Sequence, residues 1–289
     1  MASLKEVKTK IAGVKKTAQI TKAMNMVAAS KLRGAQEKME AFRPYASKFN
    51  EAMSNLSGGA NTTGFPLMEV RDVKTVEILV VTSDRGLCGS FNANIIKLAL
   101  RMKAEYEAGG KKVSFVCVGK KGSQLLNKTG CVRKSYRDIM GTFQMFNARE
   151  IATDLAENFL SGASDKVEVL YGHFKSVAVQ IPALSPLLPF QPTSAEKEVE
   201  KKFSGDYIYE PSSEEIMDVL QPLYLNVIIY HAMLEVGASE HAARMTAMDN
   251  ATNACKDMVK SLSIIYNKAR QAAVTSELMD IVGGAEALK

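Results

Sequence analysis

"LKEVKTKIAGVKKTAQITKAMNMVAASKLRGAQEKM", residues 4 to 39, decides the architecture, because its apolar side chains return at the spacing of a single helix face. Taken at every a and d position of a heptad and carried on to Leu56, the series reads Leu4, Val7, Ile11, Val14, Ala18, Thr21, Asn25, Ala28, Leu32, Ala35, Met39, Phe42, Ala46, Phe49, Met53, Leu56. Only Thr21 and Asn25 are polar. An ordinary amphipathic helix does not hold one register that long, so the pattern predicts a coiled coil. Pro44 lies inside the run and predicts a kink near Arg43. Gly58-Gly59 then stops the helix.

The C-terminal third has a matching pattern. Ser212 with Glu215 forms a capping box just after Pro211, and helical periodicity continues to about Val282, past an internal Pro222. Within it, Met248, Ala251, Cys255, Met258, Leu262, Ile265, Ala269 and Ala272 make an a/d series. Helices at opposite ends of a chain close on each other as an antiparallel pair when both leave a common middle domain. At 1.5 Å per residue the first spans roughly 80 Å and the second roughly 110 Å, so the second should overhang.

Between them, residues 75 to 190 alternate. Val76 to Thr82, Val113 to Val118, Val167 to Phe174 and Val177 to Ile181 read as strands, while Asn92 to Tyr106 and Ala148 to Phe159 read as helices. That pattern predicts a Rossmann-like α/β domain with a mostly parallel sheet. Residues 183 to 205, with Pro186, Pro189 and Pro192, read as a connector. The expected fold is therefore α/β plus long α-helical, an antiparallel coiled coil carrying a central α/β domain. The expected regions are 1–57 (first helix), 75–190 (α/β domain) and 206–286 (second helix).

Composition narrows the function. The chain has 289 residues, about a quarter of them charged, which fits a globular protein of one large or two modest domains. No run approaches the roughly 18 apolar residues of a membrane span. The N-terminus lacks the apolar core of a secretory signal. Cys88, Cys117, Cys131 and Cys255 are far apart and form no CxxC pair, which favours reduced thiols over a disulfide or zinc framework. The net charge of +6 is uneven: eleven Lys or Arg against three Glu in residues 1 to 50 give +8, leaving −2 for the rest. A basic N-terminal segment points to an acidic partner, whether nucleic acid, anionic lipid or a protein surface.

One stretch invites a catalytic reading. "VVTSDRGLCGSFN", residues 80 to 92, runs from strand through a glycine turn into a helix, as many nucleotide sites do. Yet a phosphate loop needs G-x-x-x-x-G-K-[ST]. Here Gly86 and Gly89 are three apart, and no lysine follows before Lys97. "VGKKGS" at 118 to 123 fails too, because the template needs glycine at Ser114. His173, His231 and His241 form no triad or zinc motif, and Cys88 has no base nearby in sequence. A tight structural turn is the better reading, and no catalytic, cofactor-binding or metal-ligating residue is expected. Met24, Met26 and Val27 lie off the seam where Thr21 and Asn25 weaken it, which suggests either an outside contact or a local broadening of the core.

Two rival classes are weaker. A nucleic-acid-binding coiled coil would gather its cations beside aromatics, and here they are spread around the helix. An α/β enzyme with a helical arm is disfavoured by the failed loop templates.

"QITKAMNMVAASKLRGAQ" (19 to 36), "TSDRGLCGSFN" (82 to 92), "DYIYEP" (206 to 211), "ASEHAARMTAM" (238 to 248) and "YNKARQAAVTSELMDIVGGAEA" (266 to 287) occur in an order that resembles the gamma subunit of rotary ATP synthases along essentially the whole chain. The closing run is the most specific, although Asp280 stands at the second acid of the family's Thr-x-Glu-x-x-Glu stretch and Gly283-Gly284 where one glycine is usual. The resemblance implies a non-catalytic central-stalk rotor that couples ion flow to ATP synthesis or hydrolysis. Its implied partners are three alpha and three beta subunits, an epsilon subunit and the membrane c-ring, with no cofactor and no nucleic acid. The implied place is the cytoplasmic face of the bacterial inner membrane, held peripherally. By resemblance, Lys22, Met24, Arg244, Arg270, Gln271, Thr275 and Glu277 face the catalytic ring, and Tyr207, Tyr209 and Glu210 meet the c-ring.

Overall fold

The structure, a computed structural model, describes residues 4–59, 65–190 and 212–286. Helix α1 spans Leu4–Gly59 and helix α5 spans Ser213–Glu286. Between them lie β1 (Thr75–Val81), α2 (Phe91–Ala108), β2 (Lys112–Val118), α3 (Lys120–Leu126), β3 (Val132–Tyr136), α4 (Met145–Leu160), β4 (Lys166–Phe174) and β5 (Gln180–Leu188). The chain divides into two compact units. One holds the described parts of Met1–Ala29 and Arg244–Lys289, and the other runs over Ser30–Ala243.

The heptad reading of α1 holds at every position: each a and d residue from Leu4 to Leu56 is buried or half-buried. Its partner is α5, and the pairing is antiparallel. In the first unit Thr21 meets Thr252 and Asn25 meets Met245. In the second, the ring of Phe42 packs edge-on against Tyr230 at 5.0 Å, and Met53 and Leu56 share a cluster with Met217. As numbers rise along α1 they fall along α5. Helix α1 continues through Pro44, and α5 through Pro222. Ser212 accepts the Glu215 amide at 3.2 Å, the expected start of α5.

On α5 the expected phase is wrong at alternate positions. Met258, Ile265 and Ala272 are exposed, while Thr252 is buried and Val259, Tyr266 and Ala273 are half-buried. The steps between seam residues run four-three where three-four was expected. Thr252 takes the seam because its hydroxyl is satisfied twice, by Thr21 Oγ1 at 2.7 Å and the Met248 carbonyl at 2.8 Å. A polar residue with both partners in place can occupy a buried position. From Val274 to Ala285 every residue is exposed, which fits a helix end that has outrun its partner.

In the second unit the sheet order is β3-β2-β1-β4-β5. The first four strands are parallel, and β5 runs antiparallel to β4. The mostly parallel sheet is as expected, but two strands are corrections. β3, "VRKSY", is an edge strand whose charges hide it. β5 occupies Gln180–Leu188, where a short strand ending at Ile181 and then a connector were expected. Its Pro182 and Pro186 are tolerated because an edge strand does not need every amide for the ladder.

Helix α5 also forms part of this unit's core. Leu225, Ile229, Met233 and Val236 join Ile78, Phe115 and Val169 of the sheet, and every residue from Ala232 to Glu240 is buried. A helix stretch buried all round is mostly apolar, and its polar members Glu235 and Ser239 take hydrogen-bond partners. Helix α5 also corrects the expectation that no segment approaches a membrane span. An 18-residue window of α5 is apolar enough by length and composition, but 56% of that window is buried inside the protein.

Candidate functional site

The turn at residues 82 to 90 leaves the carboxyl end of β1, where open α/β sheets hold ligands at the point of strand-order reversal. Strands β2 and β3 lie to one side of β1 and β4 to the other, so this is that point. The turn from β2 into α3 packs against this point and brings four backbone amides to it. Each is already used. The Lys120 amide donates to Asp84 Oδ1 at 2.8 Å and the Lys121 amide to the Ser83 carbonyl at 3.1 Å. The Gly122 amide donates to Thr82 Oγ1 at 2.9 Å, and that of Ser123 to the Gly119 carbonyl at 3.3 Å.

The two turns are pressed together. Gly119 has φ +94°, and a side chain there would overlap the Thr82 carbonyl. A Cβ on Gly122 would lie 2.7 Å from Thr82 Oγ1. Asp84 extends the lock by accepting the amides of Asp138 at 3.0 Å and Met140 at 2.8 Å. The "SDRG" acid is therefore a staple for three backbone segments. On the β4 side, the Phe91 ring lies so close to Gly172 that a Cβ there would sit 2.8 Å from its Cζ. The Ser239 hydroxyl donates to the Gly172 carbonyl at 3.0 Å. On both sides of β1 the chain packs closely against this point.

Other reactive groups are engaged in the same way. Cys88 is buried and receives the Asn92 amide nitrogen at 3.2 Å. Burial pushes the Cys117 thiol up to about 12, far from a thiolate nucleophile. Glu77 is fully buried, and burial pushes its carboxyl up, against the opposing pull of Arg133. It accepts Arg133 Nε at 2.6 Å and Asn158 Nδ2 at 2.9 Å. Glu168 accepts the Tyr106 hydroxyl at 2.8 Å and pairs with Lys166 at 2.6 Å. Among the described residues no group of three His, Cys, Asp or Glu is placed to hold a metal.

The residues expected to face a catalytic ring all fall in the first unit. Lys22, Arg270, Gln271, Thr275 and Glu277 are exposed. Met24 is half-buried, flanking the seam, while Met26 and Val27 are 59% and 58% exposed. Arg244 is buried, at 8% exposure, and presents little of its charge to the outside. Gln271 and Thr275 are one turn apart, linked by the Thr275 hydroxyl donating to the Gln271 carbonyl at 2.9 Å. Tyr207, Tyr209 and Glu210 lie outside the described residues.

Sequence reasoning missed one polar cluster. Glu235 of α5 is fully buried and accepts Arg43 Nε and Nη2 of α1 at 3.0 and 2.8 Å. It also accepts the Phe174 amide at 2.8 Å, while Arg43 Nη2 donates to the Phe174 carbonyl at 3.1 Å. His173 Nδ1 and His231 Nε2 stand 3.2 and 3.4 Å from its two oxygens. Burial alone would raise this carboxyl. The hydrogen bonds from His231, the Phe174 amide and Arg43 outweigh burial and hold it at about 2. A buried acid in a helical apolar run was the available signal, because such a charge requires a partner.

The model of a family described as ATP synthase matches residues 3–288. The chain is 74% identical to the ATP synthase gamma chain of Desulfotalea psychrophila, with all of both chains covered. It is 51% identical to that of Nitratidesulfovibrio vulgaris, again over the whole of both. Among solved structures it is similar to a chain of the Tetrahymena thermophila mitochondrial ATP synthase central stalk and c-ring, at TM-score 0.61 and 29% identity. That match covers 80% of this chain and 99% of the other. A chain of the Euglena gracilis mitochondrial ATP synthase shares the fold at TM-score 0.69 and 20% identity, over 99% of this chain and 94% of that one. With relatives this close along its whole length, the chain belongs to the ATP synthase gamma chain family.

Proposed function

We propose that the chain is the central-stalk rotor of an ATP synthase, coupling ion flow through a membrane ring to ATP synthesis or hydrolysis in an alpha-beta ring. The observation that carries this reading is the full-length identity with gamma chains, on a chain whose longest elements are an antiparallel helix pair. Catalysis belongs to the alpha and beta subunits, three of each. Four amides of the turn packed beside Asp84 are already bonded within the chain, which supports that assignment.

The mechanism is mechanical. The first unit is the part of the shaft threaded into the catalytic ring, and its asymmetry holds the three beta sites in different conformations. Lys22, Arg270, Gln271, Thr275 and Glu277 are exposed on it and suit that contact. Long cationic side chains attract acidic surfaces with an energy that changes smoothly with distance, so the shaft is gripped at every angle and trapped at none. Met24 contributes from the edge of the seam, and Arg244 acts from inside it. Regions 1–57 and 206–286 serve as the two strands of the shaft, and 75–190 as the foot. The foot meets an epsilon subunit and the c-ring, with Tyr207, Tyr209 and Glu210 on the ring side. In this reading the subunit works at the cytoplasmic face of the bacterial inner membrane, held there through the complex.

The test is to purify the native assembly and identify its companions. Stoichiometric recovery with nucleotide-binding alpha and beta subunits is expected. Recovery with nucleic acid, or as a lone chain, would refute the reading.

A further inference from the structure

Pro44 lies inside helix α1, and the helix runs through it. A proline there costs the helix twice. Its nitrogen has no hydrogen to donate to the Glu40 carbonyl one turn back, and its ring presses on that same carbonyl. It also disfavours helical backbone at the residue before it, which is Arg43. Sharp kinks in helices arise at such positions. By its own sequence, then, α1 is weak at residue 43.

That same residue is bolted to the rest of the second unit. Arg43 Nε and Nη2 donate to Glu235 Oε1 of α5 at 3.0 and 2.8 Å, and Nη2 also donates to the Phe174 carbonyl at the end of β4, at 3.1 Å. The far end of this bracket is itself fixed. Glu235 is fully buried and accepts the Phe174 amide at 2.8 Å. One turn further along α5, Ser239 holds the Gly172 carbonyl at 3.0 Å. Met233 and Val236, on either side of Glu235 in sequence, are sunk in the core of the sheet. A guanidinium fork gripping two anchored acceptors has little freedom to swing.

We propose that the Arg43–Glu235–Phe174 bracket is a brace that holds α1 helical across Pro44, so that the two halves of the helix move as one. A bracket that merely joined α1 to β4 would need no proline beside it. Here the residue that the proline unsettles is the one the fork grips. In a rotor, a hinge at this point would absorb twist passing along α1. That consequence rests on the rotor reading, and the brace itself does not.

The experiment is a double-variant cycle in the assembled complex, read by hydrogen exchange of the peptide covering residues 38 to 48. Arg43→Met removes the fork and keeps a long apolar stem. Exchange of this peptide should quicken at least about tenfold, the scale of one lost bond to a charged group. The peptide covering β1 should stay within about twofold, so that the loss is local. Pro44→Ala restores the missing amide and leaves the fork in place, and it should be at least as well protected as the parent. In Arg43→Met/Pro44→Ala, protection should return to within about twofold of the parent, because a helix without the proline no longer needs the brace. If Arg43→Met does not assemble, Arg43→Lys takes its place in the cycle, with a loss of about fivefold, since an ammonium lacks the fixed fork that spans both acceptors. An unchanged peptide in the Arg43 variant would overturn the proposal. So would an equal loss at β1, or a loss that Pro44→Ala fails to restore. Pumping per ATP hydrolysed in vesicles should follow the same pattern, falling with Arg43→Met and recovering in the double variant. A ratio that stays at the parent value while exchange quickens would overturn the consequence for rotation.

Discussion

Asp84→Ala separates a structural turn from a catalytic one. The carboxylate accepts three amides, from Lys120 and Asp138 on Oδ1 and from Met140 on Oδ2. Truncation leaves all three without their partner. The Lys120 and Asp138 bonds are exposed and water replaces them, so each costs about 0.5 kcal/mol. The Met140 bond is part-buried, and losing a bond to a charged group there costs about 1.5–3 kcal/mol. The expected total is about 3 kcal/mol, and the whole loss falls on the sheet unit. For a unit of this size that is a drop of roughly 6–12 °C in its melting temperature. The assay has two arms. Thermal unfolding of the assembled complex is followed by near-ultraviolet circular dichroism, and ATP hydrolysis is measured per assembled complex below the transition. Lower stability with hydrolysis within about twofold of the parent supports the staple. Unchanged stability with hydrolysis down by roughly a hundredfold or more, the scale of losing a catalytic acid or base, would refute it.

Other consequences are open to measurement. The purified chain alone should hydrolyse no ATP, and turnover abolished by changing Gly86 or Cys88 would contradict a structural role for this turn. Met24→Lys should fold, since at the edge of the seam the lysine stem can lie as the methionine does. It adds a cation beside Lys22 that can bind an acidic lever by about 1–3 kcal/mol at one angle, so pumping per ATP hydrolysed in vesicles should fall; an unchanged ratio would remove Met24 from the torque-bearing surface. Glu235 has a depressed folded value, so its stabilisation is complete above about pH 4.3, the unfolded carboxyl value, and is lost as pH falls towards about 2. Glu235→Gln should therefore be less stable than the parent at pH 7, with the gap closing through that window; a constant gap would mean that the carboxylate's charge is irrelevant. In the isolated chain, limited chymotrypsin treatment should cut first at exposed sites beyond Val274, such as Leu278 and Met279, and resistance there would mean that the overhang is covered.

How far the sequence could be read depended on whether an element's reason for existing was apolar. Every a and d position of α1 is apolar apart from Thr21 and Asn25, so its face could be followed over the whole helix. The phase of α5 was lost because Thr252 enters the seam through a hydroxyl pair with Thr21, which a count of apolar residues does not register. Both edge strands were misread for a related reason: Arg133 and Lys134 in β3, and the prolines of β5, are normal at an edge and misleading in a period-two pattern. The turn at Asp84 was legible as a failed phosphate loop, but what fills it was not, because its amides come from a segment some forty residues on. The Arg43–Glu235 pair lies further from view still. Nothing local links the two residues, and only the closure of α1 and α5 around the end of β4 brings them together.

The rotor role is tested most directly by watching the chain turn. Lys112, exposed at the start of β2, is changed to cysteine in a background with Cys131 and Cys255 replaced by serine. A gold particle is attached there, and the alpha-beta ring of the assembled complex is fixed to glass. On addition of ATP the particle should rotate in one direction, in three equal steps per turn, and stop when ATP is removed. Sustained ATP hydrolysis with the particle only jittering about one angle would contradict the rotor role.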